Sequence, residues 1–272
     1  MKDWLSIHRG EAPLIVSIPH AGTEIPREIE ARLVSLWRGR MDADWHMPTL
    51  YDFAKALGAT VISTAISRTV IDVNRDPSGA SLYPGQATTS LCPLTTFAGD
   101  ELYLNAKGPT EDEIDERRGQ YFLPYHAALY DEIKRLKRTH NAVVLYDAHS
   151  IRSQIPRLFE GTLPVFNIGT NSGRSCEMEL SSAAQMICAG SGQPTIANGR
   201  FKGGHITRLY GDPERGVHAI QMELAMRSYM REPHMPDEEN WPTAFDADLA
   251  APTQATLKRV LNACIAFAKE AT

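Results

Sequence analysis

Five short apolar runs constrain this chain more than any other feature. They are APLIVSIPH (12–20), GATVISTAIS (58–67), NAVVLYDAHS (141–150), LPVFNIGT (163–170) and GVHAIQMEL (216–224). None alternates strictly between apolar and polar residues, which is the pattern of strands covered on both faces. Helical patterns lie between them. Leu50 to Leu57 follows an acidic, proline-marked start. The span Thr110 to His140 opens on a capping-box pair, Thr110 and Glu113, and carries an apolar stripe at Leu129, Ile133 and Leu136. Met178 to Ala189 and Ala255 to Ala271 are the other helical candidates. Strands alternating with helices predict an α/β fold with a mainly parallel, or mixed, central sheet flanked by helices.

No repeat, low-complexity tract or domain boundary interrupts this pattern, so residues 1–272 are read as a single domain. Two glycine-rich stretches, 76–100 and 190–211, read as loops. The first is long for a connection, and such loops often carry function. The stretch 231–248 reads as a polar surface connection before the last helix.

Composition excludes some classes of function. The formal net charge of −5 argues against nucleic acid as partner, because phosphate binding needs a basic face. No apolar run reaches the roughly 18 residues of a membrane span. The first residues, MKDWLSIHRGEAPLIV, lack a signal-peptide pattern, so the expected location is the cytoplasm. Cys92, Cys176, Cys188 and Cys264 are scattered without a CxxC pair and read as buried free thiols.

In open α/β sheets ligands bind at the carboxyl ends of the strands, so the polar residues found there matter most. The first run ends at His20. The second leads into Arg68, Asp72, Asn74 and Arg75. The third closes on Asp147 and His149, and Glu223 lies in the last. Two histidines and several acids interleaved with arginines point to a metal site beside an anion pocket. A lone strand histidine is more often structural, but His149 repeats the setting of His20. Asp147 is a candidate to hold an imidazole from behind, with a satisfied strand-end carboxylate as the alternative. A third ligand is needed. Asp44 is preferred over Glu24, Asp42 and His46, and the competing role for Asp42 and Asp44 is helix capping.

Arginine binds carboxylates bidentately, which makes Arg68 and Arg75 candidates for an anion pocket; a surface salt-bridge cluster is the alternative. Asn74 could add an amide donor, and Arg208 could reach in from its glycine-rich stretch. Glu223 is expensive in an apolar strand unless it is a general base or the partner of an internal arginine. His126 and His46 are candidates to line the pocket or to pack. Other chemistries are weaker: there is no GxSxG elbow at Ser150, no dinucleotide fingerprint at Gly203-Gly204 and no Walker loop.

The segments SIPHAG, DADWHMPTLYDFA, SRTVIDVNRDPSG, PYHAAL, YDAHS, FKGGHITRLYG and VHAIQMEL occur in this order between residues 14 and 224. Together they resemble the N-formylglutamate amidohydrolase (N-formylglutamate deformylase) family. One departure is His205 and Leu209, where the family pattern more often has tyrosine and histidine. The resemblance implies a fold related to the zinc exopeptidases and phosphorylase/hydrolase-like proteins. It implies metal-dependent hydrolysis of N-formyl-L-glutamate to formate and glutamate, a late step of histidine breakdown. By that resemblance His20 and His149 bind a divalent metal, with zinc first; the short-spaced glutamate of the wider metallopeptidase relatives has no clean counterpart here, and Asp44 is put in its place. By the same resemblance Asn74 and Arg75 take a substrate carboxylate and Glu223 is the base; the residues themselves add Arg68, Arg208 and His126 as further candidate substrate contacts. The expected partner is a small acidic N-acyl amino acid. Hydrolysis of another N-acyl acidic amino acid, or non-catalytic binding of an acidic metabolite, are the alternative readings.

Overall fold

A computed structural model describes residues 3–79 and 89–271. The strands are β1 (Leu5–His8), β2 (Leu14–Ile18), β3 (Thr60–Thr64), β4 (Val143–Ile151), β5 (Phe166–Gly169), β6 (Thr195–Ala197) and β7 (Val217–Ala225). The helices are α1 (Arg27–Glu30), α2 (Leu36–Arg40), α3 (Met47–Leu50), α4 (Phe53–Ala56), α5 (Glu111–Arg117), α6 (Leu123–Leu136), α7 (Met178–Ala189), α8 (His205–Tyr210) and α9 (Ala247–Glu270). Among the described residues all seven strands join one sheet in the order β1-β3-β2-β4-β7-β5-β6. The centre, β3-β2-β4-β7, is parallel. β1 pairs antiparallel to β3, and β5 pairs antiparallel to β7. The α/β class and the mixed sheet therefore stand.

The pleat of β4 divides the core. Val144, Tyr146 and Ala148 face a cluster that includes Leu180 of α7 and Leu257, Val260 and Leu261 of α9. Val143 and Leu145 face the opposite cluster, with Leu129, Ile133 and Leu136 of α6. Each fully buried leucine or valine stabilises the fold by roughly 1.5–3 kcal/mol relative to exposure. On this second face the strands change character along their length. Ile15 of β2, Val143 and Leu145 of β4 and Ala219 of β7 are apolar, but the next same-face residues are Ser17, Asp147, His149, Gln221 and Glu223. The site grows out of that switch at the carboxyl ends.

Local differences from the sequence expectations have physical causes. The span 110–140 is not one helix. Its capping box is present, with Glu113 N donating to Thr110 Oγ1 at 3.3 Å and Thr110 N to Glu113 Oε2 at 2.7 Å. A π turn over Arg118–Phe122 then separates α5 from α6. Pro124 follows, and it has no N–H to donate to a preceding carbonyl. The last helix starts earlier than expected, at Ala247, capped by Asp246 Oδ1, which accepts from Leu249 N at 3.0 Å. Pro252 is tolerated because the carbonyl it leaves unpaired belongs to the exposed Asp248. In place of one helix over Leu50 to Leu57 there are two short ones, α3 ending at Leu50 and α4 over Phe53–Ala56. The stretch 190–211 is not all loop, since it contains β6 and α8. In the stretch 76–100, residues 80–88 lie outside the described residues. The four cysteines are free and buried, and among the described residues no helix is long and apolar enough to cross a membrane.

Candidate metal centre and its cavity

Pro19 and His20 follow β2 directly, and the chain returns to them at Asp44, whose N–H donates to the His20 carbonyl at 2.9 Å. His149 comes from β4. One ligand atom from each of His20, Asp44 and His149 can be chosen so that all lie within 4.8 Å of one another, and all three residues are buried. The distances are 3.9 Å from His20 Nδ1 to Asp44 Oδ2 and 3.3 Å from His149 Nδ1 to the same oxygen. Asp44 does not cap a helix. Its Oδ2 accepts from Ser150 N at 3.0 Å, which aims the carboxylate at the two rings.

Each imidazole is held from behind by an acid. His20 Nε2 donates to Asp72 Oδ1 at 2.7 Å. His149 Nε2 lies 2.9 Å from Asp147 Oδ2 and 2.8 Å from Asn74 Nδ2. The Nδ1 atoms of both rings face Asp44. Asp147 is steadied in turn by Ser17 Oγ at 3.0 Å and by Asn74 Nδ2 at 3.1 Å. This is the arrangement in which carboxylates orient metal-binding histidines.

The residues fit a divalent cation. His20 Nδ1 and Asp44 Oδ1 are buried without hydrogen-bond partners, a costly state for a polar atom with nothing to bind. Four buried carboxylates, on Asp44, Asp72, Asp147 and Glu223, gather here. Two nitrogens and a carboxylate oxygen form a donor set suited to zinc-type ions. Charge follows the geometry. Burial pulls the His149 ring down, but the Asp147 charge and hydrogen bond, with Asp44, hold it well above its ordinary value. Burial raises Asp72, yet the charges of His20, Arg68 and Arg75 bring it well below the usual carboxylate range.

β4 and β7 pair in parallel with Asp147 opposite Gln221 and His149 opposite Glu223, so these four side chains share one face. Gln221 Nε2 donates to Glu223 Oε2 at 3.4 Å, and Gln221 Oε1 accepts from Gly204 N at 2.7 Å. Burial pushes the Glu223 carboxyl up to about 8, with His149 opposing the rise and Asp44 adding to it. His20, His149 and Glu223 open onto a cavity whose walls include Arg68, Asn74, Arg75 and Arg200.

Residues 12–230 match the N-formylglutamate amidohydrolase family. The chain belongs to this family. It is 46% identical to an N-formylglutamate deformylase of Pseudomonas putida over 98% of this chain and 97% of the relative. It is 44% identical to an N-formylglutamate deformylase of Pseudomonas aeruginosa over 99% of each. Its fold is similar to the crystal structure of an N-formylglutamate amidohydrolase from Ralstonia eutropha JMP134, with a TM-score of 0.80, 21% identity and 99% of each chain covered. A gene product of Agrobacterium tumefaciens is similar in fold, with a TM-score of 0.68, 17% identity and 95% of each chain covered.

The structure separates the candidates that the sequence offered. Of the four residues weighed beside the two histidines, Asp44 joins them. Glu24 is exposed. Asp42 Oδ2 accepts from Phe97 N at 2.6 Å. His46 Nε2 faces the Thr243 carbonyl at 2.8 Å. Arg68 and Arg75 reach the cavity. Arg68 Nη2 donates to Asp72 Oδ2 at 2.6 Å, and its guanidinium lies 4.7 Å over Phe97. Arg75 is anchored on Thr89 through Nε and Nη2, at 3.2 and 3.1 Å. The Asn74 amide is engaged by Asp147, by His149 Nε2 at 2.8 Å and by Ile206 N, which donates to Asn74 Oδ1 at 2.7 Å.

Arg208 and His126 do not reach the cavity wall as the others do. Arg208 Nε donates to the Gly203 carbonyl at 2.9 Å. His126 is wedged between the Val73 carbonyl, 2.8 Å from Nε2, and the Tyr210 hydroxyl, 2.9 Å from Nδ1. Sequence reasoning missed Asp72 as the partner of His20, and it missed Gln221, Gly204 and Arg200. Gly204 carried a readable signal: a Cβ there would lie 2.5 Å from Asn74 Nδ2, so the glycine permits the close approach.

Proposed function

We propose that this chain is a metal-dependent amidohydrolase that converts N-formyl-L-glutamate and water to formate and L-glutamate. The observation that carries this reading is the convergence of His20, Asp44 and His149, with both histidines and Glu223 opening onto one arginine-bearing cavity. The curated relatives named for this deformylation support it. A place late in histidine breakdown belongs to the same reading.

His20 and His149 through Nδ1, and Asp44 through its carboxylate, would hold a divalent cation, zinc first. Such an ion supplies Lewis-acid polarisation of the formyl carbonyl and makes water acidic enough to lose a proton near neutral pH. The remaining work falls to the chain. Asp72 and Asp147 hold the two rings at Nε2 and keep the Nδ1 atoms aimed at the centre. Glu223 takes the proton of the attacking water and returns it to the amine nitrogen as the C–N bond breaks. That return is essential because an amide anion is a poor leaving group. A carboxyl pushed up to about 8 is matched to proton transfer near neutrality. Arg68, Asn74 and Arg75 hold a carboxylate of the substrate, each charge-assisted bond contributing roughly 1.5–3 kcal/mol. Arg208 and His126 back this wall through Gly203 and Val73. Holding the substrate at two points fixes the formyl carbon for attack.

The test is formate release by the zinc-loaded protein from N-formyl-L-glutamate, N-formyl-L-aspartate and N-acetyl-L-glutamate, the last read as free glutamate. The expected order places N-formyl-L-glutamate first. Absence of turnover on all three would overturn the reading.

A further inference from the structure

We infer that Arg200 selects the substrate, binding the side-chain carboxylate of the acyl amino acid and setting the preference for an acidic side chain. This inference rests on the amidohydrolase reading above. A dicarboxylic acyl amino acid presents two anionic groups as well as the reacting amide, and those groups need separate cationic contacts. Arg68 and Arg75 come from the same short segment as Asp72. Arg68 is paired with Asp72 at 2.6 Å and lies 3.7 Å from Asp44, while Arg75 lies 3.7 Å from Asp72. Both belong to the side of the cavity where the acids of the metal centre gather.

Arg200 enters from a different part of the chain, after β6, on a wall it shares with Ile151, Leu158 and Phe201. Its Nε donates to the Leu158 carbonyl at 2.9 Å, and its guanidinium lies 5.4 Å over the Phe201 ring. Both contacts help to orient the guanidinium. Ile151 belongs to a small apolar cluster against which Leu158 and Phe201 pack. The half-buried guanidinium beside this apolar surface presents its fork to an anion in the cavity. The planar fork is matched to a carboxylate rather than to a neutral amide. With one carboxylate on the Arg68–Arg75 side and the other at Arg200, the substrate spans the cavity and its formyl group is left for the metal centre.

The experiment compares N-formyl-L-glutamate with its neutral isostere N-formyl-L-glutamine, using zinc-loaded wild type, Arg200→Gln and Arg200→Lys. The ratio of the two kcat/KM values does not depend on the fraction of folded enzyme. In Arg200→Gln that ratio should fall about 10- to 100-fold, the loss coming from N-formyl-L-glutamate, mainly in KM. Arg200→Lys should recover part of it. An unchanged ratio in an active Arg200→Gln overturns the inference alone. Equal loss on both substrates overturns it as well, because Arg200 would then serve the reaction and not the selection. Wild type inert towards N-formyl-L-glutamate overturns the amidohydrolase reading and this inference with it.

Discussion

Asp72 Oδ1 lies 2.7 Å from His20 Nε2, and the other ring nitrogen of His20 is thereby turned towards Asp44. The second oxygen of the same carboxylate holds Arg68 at 2.6 Å. One buried acid thus orients a proposed ligand and neutralises a buried arginine. Replacing it by the isosteric amide keeps the shape and removes the charge. Asp72→Asn should weaken zinc affinity about 10- to 100-fold. It should also lower stability, because buried Arg68 would lose its 2.6 Å carboxylate partner and keep only the more distant Asp44 at 3.7 Å. Competition with a chromogenic chelator and urea unfolding read the two effects. Wild-type values in both would show that Asp72 is dispensable.

The cluster of His20, Asp44 and His149 predicts about one zinc ion per chain by elemental analysis, matched to the single donor set that these residues form. His20→Ala, Asp44→Ala and His149→Ala should each lose it, and a strong chelator should abolish turnover in wild type, with zinc restoring it. Full zinc occupancy in all three variants would remove these residues as ligands.

Glu223→Gln tests the base separately from the metal. The amide preserves the contact with Gln221 but cannot accept the water proton. We expect zinc content close to wild type and a loss in kcat of about 10²- to 10⁴-fold. Turnover near the wild-type rate would exclude Glu223 from proton transfer.

His126 predicts how stability responds to acid. Burial lowers its ring to about 4, while the hydrogen bond to Val73 opposes the shift. The unfolded chain takes up this proton near pH 6.5 and the folded chain does not until about pH 4. Stability supplied by the neutral ring is therefore complete above pH 6.5 and declines as the pH falls towards 4, by up to about 3 kcal/mol. Urea unfolding across this range should give a shallower pH dependence for His126→Gln than for wild type. Identical slopes would mean that His126 titrates alike in both states.

Much of the frame was legible in the chain itself. The five apolar runs became β2, β3, β4, β5 and β7 because strands buried on both faces must be apolar throughout. β1 and β6 escaped notice. They are edge strands of four and three residues, partly exposed, and their backbone hydrogen bonds come from a neighbour rather than from a pattern of their own. The break before α6 is another case, since a helical period continues through a π turn without marking it.

The sequence by itself determined which strands end in histidines and acids, because a polar residue at the end of an apolar run stands out wherever the chain folds. His20, His149 and Glu223 were visible in that way. Only the tertiary structure decided their company. Asp72 meets His20 across 52 positions and Asp44 meets His149 across 105, separations over which no local period operates. The parallel register of β4 and β7 sets Glu223 beside His149, and a shift of one residue would turn it into the opposite core. Packing likewise kept His126 behind Val73 and brought Arg200 to the cavity from a stretch that read as loop. Which charges share a site depends on how the elements pack together, and here that packing joins segments far apart in the chain.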